Sequence, residues 1–183
     1  MTQITLAVSG SISAYKAADI TSRLKKENFD VAVLMTQAAT EFITPLTLQV
    51  LSQRLVGLDI MQEPDPSKVN HINIAKETDL FLLAPATANT IAKLANGLAD
   101  NMVTATALAL PIQTKKILAP AMNTQMYENP ITQQNIDRLK LTGWKTIEPR
   151  EAILACGDQG KGALAEIDTI IDTVKELIYE KTV

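Results

Sequence analysis

The chain has 183 residues, 46% of them hydrophobic but only 4% aromatic, and a net charge of −3; this length closes one substantial core, so a single domain over residues 1–183 is expected. Without a basic block the chain offers no nucleic-acid surface or membrane patch, and no apolar run reaches the ~20 residues that span a bilayer. One cysteine, Cys156, and one histidine, His71, exclude an intramolecular disulfide and a zinc site built on Cys and His clusters.

The chain opens directly into an apolar run with no leader-like start, so the cytoplasm is the expected compartment. From Ile4 to Lys16 the sequence ITLAVSGSISAYK reads as a buried strand, a hydroxyl-rich turn and the start of a helix. Helix N-termini present unpaired backbone N–H groups and a positive dipole end, so Ser9, Gly10, Ser11 and Ser13 suit a phosphate; a serine-capped structural turn fits them as well. The loop has one glycine where a dinucleotide fingerprint has three, and it lacks a P-loop lysine. The second strand, ending at Met35, is followed by Thr36 and Gln37 in place of a ribose-binding acid, so a mononucleotide fits better than NAD or ATP.

Strand-length apolar runs then alternate with helical patterns, at about 4–8, 30–35, 55–60, 79–84, 115–119 and 144–148. The expected fold is α/β: a doubly wound, Rossmann-like parallel sheet of about six strands with helices on both faces. In such a sheet ligands bind beyond the strand C-termini, where strand order reverses. Ala17, Ile20 and Leu24 form the stripe of a packing helix that ends among Arg23, Lys25 and Lys26. Thr44 and Pro45 predict the N-cap and first turn of the next helix. A polar, proline-punctuated loop from Gln62 to Lys68 leads to His71, a functional histidine or an ordinary surface one.

After the fourth strand, Pro85-Ala86-Thr87-Ala88-Asn89-Thr90 combines side-chain donors with small residues that admit a flat ring, before a helix closing at Gly97 and another beginning at Asp100. The fifth strand empties into Pro120-Ala121-Met122-Asn123-Thr124-Gln125-Met126, a restricted apolar loop around one amide. Asn123 there either orients a ligand carboxylate or caps a turn. Ala155-Cys156-Gly157-Asp158-Gln159-Gly160-Lys161-Gly162-Ala163 reads as a mobile, glycine-rich lid carrying the only cysteine. Ile167, Ile170, Ile171, Val174, Leu177 and Ile178 predict a closing packing helix.

Taken together, SGSISAYK, the His71 segment, PATANT, PAMNTQM and ACGDQGKGA resemble, in order and spacing, the homo-oligomeric flavin-containing cysteine decarboxylases. The resemblance covers essentially the whole chain. It implies FMN as cofactor, with its phosphate on Gly10, Ser11 and Ile12, its ribityl-phosphate bounded by Thr36, Gln37 and Ala38, and its ring contacted by Thr87, Ala88, Asn89, Thr90 and Ala121. It implies His71 as active-site histidine, Asn123 as carboxylate ligand and Cys156 as the cysteine of a substrate-clamping flap, with Met126, Ile153, Ala155 and Ala163 on the substrate. Tyr127 replaces the tryptophan of the PxMNxxMW motif, and Ala163-Leu164 stands where many bacterial members have Arg-Met.

The implied reaction is FMN-dependent decarboxylation of 4'-phosphopantothenoylcysteine to 4'-phosphopantetheine in coenzyme A biosynthesis. Oxidation of the CH2–SH carbon to a thioaldehyde creates an electron sink, CO2 leaves as an enethiolate forms, and the enethiol is then reduced. The implied assembly is a homo-oligomer, a trimer or a dodecamer of trimers, with flavin sites at subunit contacts. Alternatives are a decarboxylase of a peptide C-terminal cysteine, a flavin prenyltransferase, which the His71, PAMN and ACGD segments disfavour, and a non-enzymatic regulatory flavoprotein subunit, whose long charged extensions are missing here. A Cys156–His71 hydrolase pair is the remaining option, although neither residue sits in a nucleophile elbow or cysteine-protease signature.

Overall fold

The computed structural model describes residues 1–180, so the last three residues of the expected domain lie outside the described residues. In chain order the elements are β1 (Gln3–Val8), α1 (Ala17–Lys26), β2 (Asp30–Met35), α2 (Pro45–Ser52), α3 (Asn70–Glu77), β3 (Leu80–Ala86), α4 (Ala88–Ala95), α5 (Met102–Leu108), β4 (Lys115–Pro120), α6 (Thr124–Glu128), α7 (Pro130–Leu141), β5 (Trp144–Thr146), β6 (Arg150–Ile153), β7 (Gln159–Ala163) and α8 (Ile167–Tyr179). Among the described residues the main sheet is five-stranded and parallel, in the order β2-β1-β3-β4-β5. Strand β1 is followed on one side by β2 and on the other by β3, so the order reverses between β1 and β3.

Alternation along the strands divides the core in two. Ile4, Leu6, Val8, Val31, Val33, Leu80 and Leu82 face one layer, packed against Ile20 and Leu24 of α1 and Ile170 and Val174 of α8. Ala7, Leu34, Phe81 and Leu83 face the other, packed against Ile91, Met102, Val103 and Ile136. Because both faces are covered, the strands read as continuous apolar runs, and β1 is buried at all six residues. The stripe expected on the closing helix is present, with Ile167, Leu177 and Ile178 flanking its buried residues.

Two expectations need correction. Residues 55–60 do not form a strand, so the sheet has five strands where about six were expected. Gly57 alone bridges to Leu34, with Gly57 N bonded to Val33 O at 2.9 Å and Met35 N to Gly57 O at 3.0 Å. Leu55 finds no core and stays 71% exposed, and the chain turns away where the Asp59 carboxylate accepts Met61 N. The glycine-rich segment, expected as a mobile loop, is a β-hairpin: β6 pairs antiparallel with β7.

The glycines of that hairpin are packing residues. A Cβ on Gly162 would sit 2.2 Å from Met122 O, and one on Gly160 would meet the Thr124 side chain at 2.6 Å. Only Gly157, at φ +89°, serves the turn. No described helix is long and apolar enough to cross a membrane.

Candidate functional site

The loops after β1 and β3 meet where the sheet order reverses, and Ser9 ties them together. Its hydroxyl donates to Pro85 O at 2.7 Å and accepts Thr87 N at 2.9 Å. Ser9 is fully buried and does not line the cavity, so its role is to hold the two loops in register. Gly10 follows where the β1 loop crosses the β2 loop: a Cβ there would be 2.5 Å from the Ala38 Cβ. Ser11 caps the short 3-10 turn Ile12–Lys16 by accepting Ser13 N at 3.2 Å, and Thr36 and Thr87 cap the turns after β2 and β3 in the same way. Three turns with capping hydroxyls thus border one hollow.

That hollow is a cavity of about 690 Å³ beyond the strand C-termini, a volume in the range of small-molecule and cofactor sites. Gly10, Ser11, Ile12 and Ser13 line it together with Thr36, Gln37 and Ala38 from the β2 loop and Thr87, Ala88, Asn89 and Thr90 from the start of α4. Ala121, Met122, Asn123 and Met126 line it from the β4–α6 segment, and Leu154, Ala155, Cys156 and Gly162 from the hairpin.

Asn123 does two jobs at the start of α6. Its Oδ1 accepts Gln125 N at 2.8 Å as the helix cap. Its Nδ2 is left to face the hairpin tip, where Asp158 Oδ2 accepts it at 3.1 Å and Cys156 Sγ lies 3.3 Å away. The Cys156 thiol donates to the same Asp158 oxygen at 3.3 Å. Capping and ligand-facing readings of Asn123 therefore both hold, through different atoms of one amide.

The base of the hairpin is fixed separately. Met122 N donates to Gly162 O at 2.9 Å. Glu148 Oε2 accepts the hydroxyl of Tyr127 on α6 at 2.9 Å and the ammonium of Lys161 on β7 at 2.7 Å, and that ammonium lies 5.6 Å from the centre of the Tyr127 ring. Burial, and then the Glu148 carboxylate, push the Tyr127 hydroxyl well above its ordinary value of 10. The bond from Lys161 holds Glu148 below its ordinary value, against the effect of burial.

All the residues expected to contact the cofactor line the cavity, as do Asn123, Met126, Ala155 and Cys156. Three expected site residues are placed elsewhere. Ile153 is 77% exposed on β6, Ala163 ends β7, and neither lines the cavity. His71, in the first turn of α3, also lies outside the cavity lining, and its Nδ1 is buried without a hydrogen-bond partner. Sequence reasoning passed over Asp158, although it lies two residues from the only cysteine, and gave no role to Glu148, which sits outside every motif.

The Flavoprotein family pattern matches residues 1–179. The probable phosphopantothenoylcysteine decarboxylase of Streptococcus mutans serotype c (strain ATCC 700610 / UA159) is 61% identical over 174 residues, covering 95% of this chain and 97% of that protein. The coenzyme A biosynthesis bifunctional protein CoaBC of Bacillus subtilis (strain 168) is 45% identical over 179 residues; the match takes in 98% of this chain but only 44% of the bifunctional protein. A solved cysteine-to-serine mutant of PPC decarboxylase, complexed with pantothenoylaminoethenethiol, superposes with a TM-score of 0.87 at 32% identity, covering 98% of this chain and 99% of that one. On the match along its length and the shared architecture, the chain belongs to the Flavoprotein family.

Proposed function

We propose that this chain decarboxylates 4'-phosphopantothenoylcysteine to 4'-phosphopantetheine, with FMN as cofactor, in the cytoplasmic synthesis of coenzyme A. The observation that carries the reading is one cavity with a capped, glycine-dependent cradle on one side and the paired Asn123 amide and Cys156 thiol on the other. The residues present fit FMN. One phosphate cradle matches one phosphate, the crossing at Gly10 leaves no room for a side chain, and Ala88 and Ala121 leave space for a flat ring.

Gly10, Ser11 and Ile12 would hold the phosphate, Thr36, Gln37 and Ala38 would bound the ribityl-phosphate, and Thr87, Ala88, Asn89, Thr90 and Ala121 would contact the ring. Bound FMN supplies a transient two-electron sink, which this decarboxylation needs because the departing carboxylate leaves a carbanion with no carbonyl to delocalise it. Asn123 Nδ2 would orient the substrate carboxylate, a charge-assisted contact that fixes which bond breaks. Cys156 would keep a proton on Sγ for the unsaturated product of CO2 loss, on its way to the saturated aminoethanethiol. Met126 and the hairpin would cover the substrate and exclude water.

His71 would complete the cavity of a neighbouring copy in a homo-oligomer. Its orphaned Nδ1 supports this, since buried polar atoms are normally bonded. So does the apolar face of α2, where Leu46 and Val50 are each 67% exposed beside Phe42. The deciding experiment offers the purified flavin-loaded protein 4'-phosphopantothenoylcysteine and, separately, a cysteine-terminated peptide. Release of CO2 with formation of 4'-phosphopantetheine is expected; turnover of the peptide alone overturns the substrate, and a protein that takes up no FMN overturns the cofactor.

A further inference from the structure

The hairpin tip carries a carboxylate that the reaction above leaves without a role. Asp158 Oδ2 accepts from both Asn123 Nδ2 and Cys156 Sγ, at 3.1 and 3.3 Å. This side chain is not needed for the turn itself. Leu154 N donates to the backbone oxygen of Asp158, and Gly157 N to that of Leu154, each at 2.8 Å. Nor is it needed at the hairpin base, which Gly162 and Lys161 hold. Its contacts belong to the site.

A primary amide offers the same N–H to a carboxylate of the protein as to one of a ligand. We propose that Asp158 is the protein's own stand-in for the substrate carboxylate: a positioning residue that holds Asn123 and Cys156 together in the substrate-free site and gives Asn123 up to the incoming substrate. The proposal rests on the reading of Asn123 as carboxylate ligand. Two carboxylates on one amide repel each other, so substrate entry moves Asp158 off Asn123 and shifts the hairpin tip, while the anchored base stays in place. Loss of CO2 removes the competing charge, and Asp158 returns. Asp158 therefore weakens the binding of ligands that carry the carboxylate and leaves those without it unaffected.

The test is calorimetric, on flavin-loaded protein, with two probes. The first, 4'-phosphopantothenoylserine, keeps the carboxylate but has no thiol to oxidise; the second, 4'-phosphopantetheine, has lost the carboxylate. Asp158→Ala should tighten the first by roughly five- to tenfold, because a receptor group occupied most of the time binds its ligand weaker by the fraction that is free. The second should bind as before. Asp158→Asn keeps the shape without the charge and should move the first probe in the same direction by less, which guards against a hairpin disturbed by the alanine. Unchanged or weaker binding of the first probe in both Asp158 variants overturns the stand-in role, provided Asn123→Ala still weakens that probe selectively. If Asn123→Ala has no selective effect, the carboxylate assignment of Asn123 fails, and the proposal with it.

Discussion

Gly10 shows why a residue type can be required for two reasons at once. The phosphate reading asks for a bare backbone there, and so does the crossing with Ala38, where a methyl group would sit 2.5 Å from another Cβ. Gly10→Ala should therefore already displace the β1 loop and weaken FMN retention, and Gly10→Asp should abolish it by adding charge repulsion. Flavin absorbance per protein after gel filtration measures both, and full retention by the aspartate variant removes the phosphate from this loop. Asn123→Asp preserves the cap to Gln125 but loses the donor that faces Asp158 and Cys156. It should stay yellow and lose about 100-fold or more in kcat/KM, the scale of one missing oriented donor; near-normal kcat/KM rejects the assignment. Cys156→Ser, a much weaker acid, should still release CO2 but accumulate the enethiol, read by mass spectrometry under anaerobic conditions. Ordinary turnover to the saturated product removes Cys156 from the reaction.

The β6–β7 hairpin is an anchored element with a releasable tip. Its anchor, Tyr127–Glu148–Lys161, joins the helix that starts at Asn123 to the strand that follows Cys156, so it sets the distance between the two site residues. Glu148 is partly solvated, which limits the anchor to about 0.5–1 kcal/mol after screening. Its depressed carboxyl makes that contribution pH-dependent: it is fully present above the ordinary value of 4.5 and lost as pH falls through the lower value in the folded protein. Glu148→Gln should lower the thermal midpoint by about 1–4 °C near neutral pH, as expected for a domain of this size. The gap from the unsubstituted protein should close in acid below the ordinary carboxylate range; a gap that persists there assigns the effect to packing.

At the scale of the whole molecule, the site described within one chain lacks the only histidine. The proposed remedy is a second copy, and the exposed pair Leu46 and Val50 on α2 gives a face that water disfavours. Replacing both with Glu should shift the mass measured by light scattering toward the monomer and cut turnover with it. A sharper measurement mixes His71→Asn with Cys156→Ser by co-expression. If His71 serves a neighbour's cavity, sites pairing an intact cavity with an intact His71 form again and the mixture regains formation of the saturated product, which neither parent makes. No recovery in verified mixed oligomers returns His71 to its own chain.

Local pattern was enough for most of the architecture. Continuous apolar runs marked four strands of the sheet closely, because a strand buried on both faces has no polar side to blur the signal, and Thr44-Pro45 marked a helix start through a cap that acts within three residues. Gly10, Ser11, Ile12, Asn123 and Cys156, which the motifs single out, line one cavity. Residues 55–60 misled, because strand-like composition does not say how far the chain runs beside the open edge of β2; it meets that edge only at Gly57 and turns away at Asp59. The glycines of the flap misled in the opposite sense: Gly160 and Gly162 look like flexibility until Thr124 and Met122 are seen against them. The burial of Ser9 between two loops, the anchoring of the hairpin by Glu148, the carboxylate of Asp158 on the Asn123 amide and the exclusion of His71 from the cavity lining of its own chain were decided only by tertiary structure. Each depends on which distant segments meet, and contacts across many residues leave no periodic trace in the chain.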